Sequence, residues 1–164
     1  MPELTADLAR ELFDYDPLTG VLTWKVSRGK IKKGTPAGYV NTVGYRVTMV
    51  NGKGYLNHRI AWLLTTGKWP AMEIDHVNGV RDDNRLCNLR DVSSSANKEN
   101  VRTARSSNKT TGLLGASLYK RDGTYAAQIT VGRKVTCLGR FATPEEAHLV
   151  YLDAKRRLHA ANTL

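Results

Sequence analysis

What this chain lacks bounds it first. No apolar run among its 164 residues approaches the roughly 18–20 that a membrane-spanning helix requires. The opening MPELTADLARELF has none of the basic, apolar and small-residue zones of a signal peptide, so the expectation is a cytoplasmic chain with no membrane partner. Cysteine is scarce: Cys87 and Cys137 stand far apart and outside any CxxC pair. That excludes a disulfide framework and a structural zinc site, which needs about four Cys or His ligands at short spacings, and leaves two reduced, partly buried thiols as the expectation. Aromatic residues make up 7% and acidic side chains number 15, so negative charge is in short supply.

Positive charge is not. The net charge is +10, which points to a polyanionic partner. It is unevenly spread: residues 1–101 hold 14 Lys and Arg against 11 Asp and Glu, and residues 102–164 hold 11 against 4. The back third is the expected phosphate-gripping part.

Residues 4–13 read as a short amphipathic helix capped by Thr5, with Leu4, Leu8, Leu12 and Phe13 on one face. Asp16-Pro17-Leu18-Thr19-Gly20 is turn chemistry, and Val21 to Lys25 a strand with Trp24 in the core. Arg28 to Lys33 is a basic, Gly-flanked loop, either solvated or on phosphate. In the next strand Tyr45, Val47 and Met49 alternate with Arg46 and Thr48; Asn51-Gly52 turns the chain into Tyr55-Leu56. From His58 a helical period runs to Gly67. Residues 102–111, RTARSSNKTT, are polar and aperiodic and read as a linker. That divides the chain into domains 1–101 and 112–164.

The stretch EIDHVNGVRDDNRLCNLRDVSSSANKEN, residues 73–100, holds the candidate site. Ile74-Asp75-His76-Val77 reads as a short strand turned at Asn78-Gly79; Leu86 and Leu89 anchor a return, and Ser93 or Ser94 caps a helix reaching about Val101. Asp75 and His76 are adjacent, so on extended backbone their side chains point to opposite sides. One can meet a metal while the other meets a water. Asn88 follows after enough residues for a loop and a return strand, and Asn97 where the helix's first turn would face the strands. A carboxylate, an amide oxygen and a neighbouring imidazole can hold one hard divalent cation beside a general base, the arrangement that phosphodiester cleavage requires.

These residues (Asp75-His76, Asn88-Leu89-Arg90 and Asn97, with Asn100 a turn later) resemble the HNH endonucleases, in the H-N-N form of phage-encoded and homing nucleases. Asn57-His58-Arg59-Ile60-Ala61-Trp62 and Gly67-Lys68-Trp69-Pro70 resemble the segment leading into that motif. The resemblance implies a ββα-metal module over about 73–101. It makes His76 the general base, Asp75 and Asn97 ligands of Mg²⁺ or Mn²⁺, and Asn88 a structural amide that holds His76. Asn100 is the alternative to Asn97, and Arg59 and Arg90 are phosphate-clamp candidates. The implied products carry 5′-phosphate and 3′-hydroxyl.

Past the linker, strands are expected over Leu114–Tyr119, Tyr125–Val131 and Lys134–Arg140, and a helix from Pro144 to about Ala160, capped by Thr143. Gly115, Tyr125 to Ile129, Leu138 to Phe141 and Glu145-Glu146-Ala147 resemble the plant APETALA2-type DNA-binding domain. That resemblance implies a three-stranded antiparallel sheet packed on one helix. Ala126, Ala127, Leu138 and Phe141 would meet Ala147, Tyr151 and Ala154, leaving Tyr119, Arg121, Tyr125, Arg133, Lys134 and Arg140 for DNA. Arg102, Arg105 and Lys109 would lie along it from the linker. The fold class expected is α+β. The function expected is a metal-dependent endonuclease on double-stranded DNA, of phage or homing type, nicking as a monomer, with a double-strand break needing a dimer or two visits. A DNA-binding regulator or packaging accessory with a vestigial site is the alternative.

Overall fold

In the computed structural model, which describes residues 3–163, Thr5 accepts the Leu8 amide and opens α1 (Ala6–Leu12). Helix α1 passes directly into β1 (Phe13–Tyr15), antiparallel to β2 (Leu22–Trp24). The Asp16 carboxylate, accepting from the Leu18 amide and the Thr19 hydroxyl, shapes the turn between them. Strands β3 (Tyr39–Val40), β4 (Arg46–Val50) and β5 (Lys53–Leu56) form an antiparallel sheet in that order. The two-residue β4–β5 turn has positive φ at both Asn51 and Gly52, 51° and 78°, matching the right-handed twist of the strands it joins. Helix α2 (Asn57–Thr66) stops at Gly67, whose φ of 74° lets its N–H reach the Leu63 carbonyl.

Leu4, Phe13, Leu22, Trp24, Val50, Ile60 and Leu63 form the core here, with the Phe13 and Trp24 rings 4.6 Å apart. One sequence expectation is reversed. In β4 the buried face is Thr48 and Val50, while Met49 is exposed. Thr48, 0% exposed, donates to the Asn57 side chain at 2.7 Å, and Asn57 donates to the Ala37 carbonyl. A satisfied polar pair therefore outweighs the side-chain transfer preference that favours Met49.

Strands β6 (Glu73–His76) and β7 (Leu89–Val92) pair antiparallel, Asp75 opposite Arg90 and His76 opposite Leu89. A single 3₁₀ turn, Leu86–Asn88, leads into β7. Ile74, Leu89 and Ala61 close a small apolar cluster under this hairpin.

Two compact units divide the chain between Val92 and Ser93. The second begins with α3 (Ser94–Glu99), capped by Ser93. Strands β8 (Ala116–Tyr119), β9 (Thr124–Val131) and β10 (Lys134–Phe141) form an antiparallel sheet with β9 central, and α4 (Pro144–Leu158) packs on it. Thr143 and Glu146 make a reciprocal capping box at the start of α4. Residues 102–111 belong to this unit, where the Asn108 side chain bonds Thr111 and the Leu113 carbonyl. Gly115 has a φ of 71°, and a Cβ there would lie 1.9 Å from the Tyr151 ring, so the helix approaches the sheet as closely as it does only over a glycine.

The helix-facing side of β9 carries Tyr125 and Ala127, which join Ala116, Ala147, Leu138 and Phe141. Consecutive strand residues point to opposite faces, so Ala126 lies on the other side, with Ser117 and Arg140 as its strand partners. Tyr125 therefore faces the helix, and Ala126 does not. Cys87 and Cys137 are free and exposed, not partly buried.

Candidate active site

The site is built on the end of β6. Asp75 is 6% exposed and its Oδ2 accepts from both Nε and Nη2 of Arg90, at 2.8 and 2.7 Å. The register that sets the two residues opposite each other makes this geometry. Arg90, expected as a phosphate clamp, is the ion-pair partner of Asp75.

His76 is 3% exposed. Its Nε2 lies 3.2 Å from Oδ1 of Asn84. With an amide oxygen as partner, Nε2 carries the proton and Nδ1 is the basic nitrogen of the neutral ring. The His58 and Tyr45 rings pack on it, His58 edge-on with centroids 5.0 Å apart and Tyr45 at 5.9 Å. Burial pushes the His76 imidazole below its ordinary value, against the Asn84 bond and the Asp75 and Asp83 carboxylates, which pull it up. His58 goes further, to about 3, through burial and the neighbouring His76 and Arg59. Both rings are neutral at pH 7.

The loop returning from β6 to β7 is knitted by amides. Asn88, buried, accepts the Asn78 amide at 2.8 Å on its side-chain oxygen and donates to the Asp83 carbonyl at 2.7 Å. Gly79, with a φ of 75°, donates to the His76 carbonyl. Asp83 accepts from Asn78 and from Arg85, whose guanidinium holds that carboxyl down at about 2. The first turn of the chain supports the loop from below. The Tyr15 hydroxyl donates to the Asn84 carbonyl at 2.8 Å, and Leu86 donates to the Pro17 carbonyl. A Cβ on Gly20 would stand 2.5 Å from the Arg85 amide nitrogen. Burial and the nearby Asp16 push the Tyr15 phenol up to about 12, which keeps it a donor.

Residues 55–99 match the family model described as HNH endonuclease. The HNH segment runs from β5 through α2 and the β6–β7 hairpin to α3, and at family level it supports a nuclease, a hydrolase acting on nucleic acid. The match ends short of the APETALA2-like residues, which no comparison supports. No curated protein and no solved structure matches the chain.

Sequence reasoning missed Asn84, Tyr15 and Tyr45 in the HNH segment and its surroundings, and read His58 as a helix-start residue. Asn84 lies in RDDNR, where nothing marks one amide from its neighbours, and a ring–ring contact leaves no spacing signal. Asn97 is half-buried on α3 in the second unit, and Asn100 is buried with its side-chain oxygen accepting from the Thr163 hydroxyl at 2.6 Å. Arg59 donates to the Met72 carbonyl and lies 5.8 Å from the Trp69 ring centre.

In the second unit Arg102 donates through Nη2 to the carbonyl and hydroxyl of Thr163, a structural commitment, while Arg105 and Lys109 are exposed. On the sheet face away from α4, Arg140 stacks on Tyr119 at 3.7 Å and pairs with Asp122. Arg121, Arg133 and Lys134 are exposed in the two hairpin turns or beside them. Among the described residues no three His, Cys, Asp or Glu side chains gather as metal ligands, and no helix is long and apolar enough to cross a membrane.

Proposed function

We propose that the chain is a divalent-metal-dependent endonuclease that hydrolyses phosphodiester bonds in double-stranded DNA, nicking as a monomer. The observation that carries this is His76: neutral, with Nε2 committed to Asn84, inside a segment that matches HNH endonuclease. Nδ1 takes a proton from water as the water oxygen attacks phosphorus; the bond to the 3′ oxygen breaks, and that oxygen leaves with the bonding pair and takes its proton from solvent water. The products carry 5′-phosphate and 3′-hydroxyl. Asn84 and Asn88 hold the loop and the imidazole in register for this transfer.

Hard oxygen donors suit Mg²⁺ or Mn²⁺, and the Asp75 carboxylate and, from the sequence pattern, the Asn97 amide carbonyl are the residues that would hold the ion. When bound, the ion stabilises negative charge on the reacting phosphate and the leaving oxygen. Arg121, Arg133, Lys134, Arg140 and Tyr119, with Arg105 and Lys109, are proposed to hold the duplex, in the manner of an APETALA2-type sheet. A phage or homing element is the proposed setting.

A second reading, a DNA-binding regulator whose nuclease site is silent, is favoured by the enclosure of His76 and by Arg90 on Asp75. Supercoiled plasmid incubated with Mg²⁺ separates the two. The endonuclease reading expects nicked circles from the native chain and none from His76→Ala. A native chain that shifts DNA but leaves it supercoiled decides for the regulator.

A further inference from the structure

Helix α3, which carries Asn97, has six residues and no buried side chain. A helix that short falls well under the roughly 12–15 residues at which isolated helices become even marginal in water, and α3 has no apolar face in a core to supply the difference. Besides its Ser93 cap, it is tied within the second unit at its C-terminal end. The Glu99 carboxylate accepts the Ala161 amide at 3.2 Å, and the Asn100 oxygen accepts the Thr163 hydroxyl at 2.6 Å. Thr163 in turn accepts from Arg102 on its carbonyl, at 3.0 Å, and on its hydroxyl. Lys155, 0% exposed on α4, donates its ammonium to the Val101 carbonyl. Residues 99 to 102 are thus each tied, one after another, to residues 155–163.

We propose that residues 155–163 form a clasp that orders α3 and sets the direction of Asn97 one turn upstream, with Glu99 and Thr163 as positioning residues. The bonds are polar and partly buried, so each acts through geometry: cutting one leaves a donor or acceptor without its partner and frees the helix end. The consequence for Asn97 rests on the nuclease reading; the clasp itself does not.

Amide hydrogen exchange on the full-length chain, without DNA or metal, tests it. In Thr163→Val, and in Thr163→Val combined with Glu99→Ala, the amides of residues 94–101 exchange about tenfold faster or more, while those of β8, β9 and β10 keep their protection. Thr163→Ser and Glu99→Gln, which retain a hydroxyl and a carbonyl acceptor, restore native rates. Unchanged exchange over 94–101 in the double variant overturns the clasp. If the double variant loses protection in the sheet as well, Thr163→Val alone carries the test on the same criterion. A nicking assay reads the dependent claim separately: Thr163→Val raises the Mg²⁺ concentration needed for half-maximal rate several-fold and Thr163→Ser does not. Faster exchange with no nicking by the native chain upholds the clasp and sinks the nuclease reading.

Discussion

His76 and His58 are two imidazoles in contact, and each has its protonation set by burial. As a general base His76 acts only when neutral, so the nicking rate rises with pH through its apparent pKa and then levels off. Since burial lowers that value below 6.5, the plateau is reached by neutral pH; a pH–rate profile at fixed Mg²⁺ still climbing above pH 7 contradicts the assignment. His76→Ala loses about 10²- to 10⁴-fold in rate, the range of a positioned acid–base group. His58 makes a stability prediction of its own. Its folded value is about 3 against 6.5 unfolded, so between those limits the unfolded chain binds a proton that the folded chain refuses. The stability contributed is whole above pH 6.5 and drains away as pH falls towards 3. His58→Phe, which keeps the ring and removes the titration, therefore loses less Tm between pH 7 and pH 5 than the native chain does.

At the scale of elements, the β6–β7 hairpin takes its shape from the loop between its strands, and the Asn88 amide bridges two points of that loop. Asn88→Ala strands the Asn78 amide and the Asp83 carbonyl, at a cost of about 1–3 kcal/mol for buried groups left unpaired. Denaturant unfolding is expected to show that loss, and Asn88→Asp to recover only the acceptor half. The positions of β6, β7 and α3 could be read from sequence because apolar residues, turn glycines and a serine cap mark them within a few residues of where they lie. The inward face of β4 could not, because Thr48 is buried through a partner, Asn57, that only the folded chain brings to it. Tyr125 likewise belongs to the helix side because strand alternation, not the residue's chemistry, assigns it.

Over the whole molecule, the charge excess predicts how DNA binding responds to salt. Affinity should fall linearly on a log–log plot, with a slope of about −0.9 per phosphate contact on B-DNA. Substituting Arg121, Arg133 and Lys134 together by Ala should flatten the slope by up to about 2.7 if each meets a phosphate. Filter binding or fluorescence anisotropy across a salt series measures it; an unchanged slope removes these turns from the DNA surface.

Composition and spacing by themselves determined the α+β character, the order of the strands and helices other than the short β1 and β3, the basic second unit and the Asp75-His76…Asn88…Asn97 pattern that resembles HNH endonuclease, because local propensity and turn chemistry are written into neighbouring residues. Only the tertiary structure decided that Asn84 meets His76, that Arg90 pairs with Asp75, that the His58 and Tyr45 rings pack on His76, and that Arg102 bonds Thr163. Those are contacts between residues distant in the chain, chosen by burial and by which donor finds which acceptor once the elements have packed.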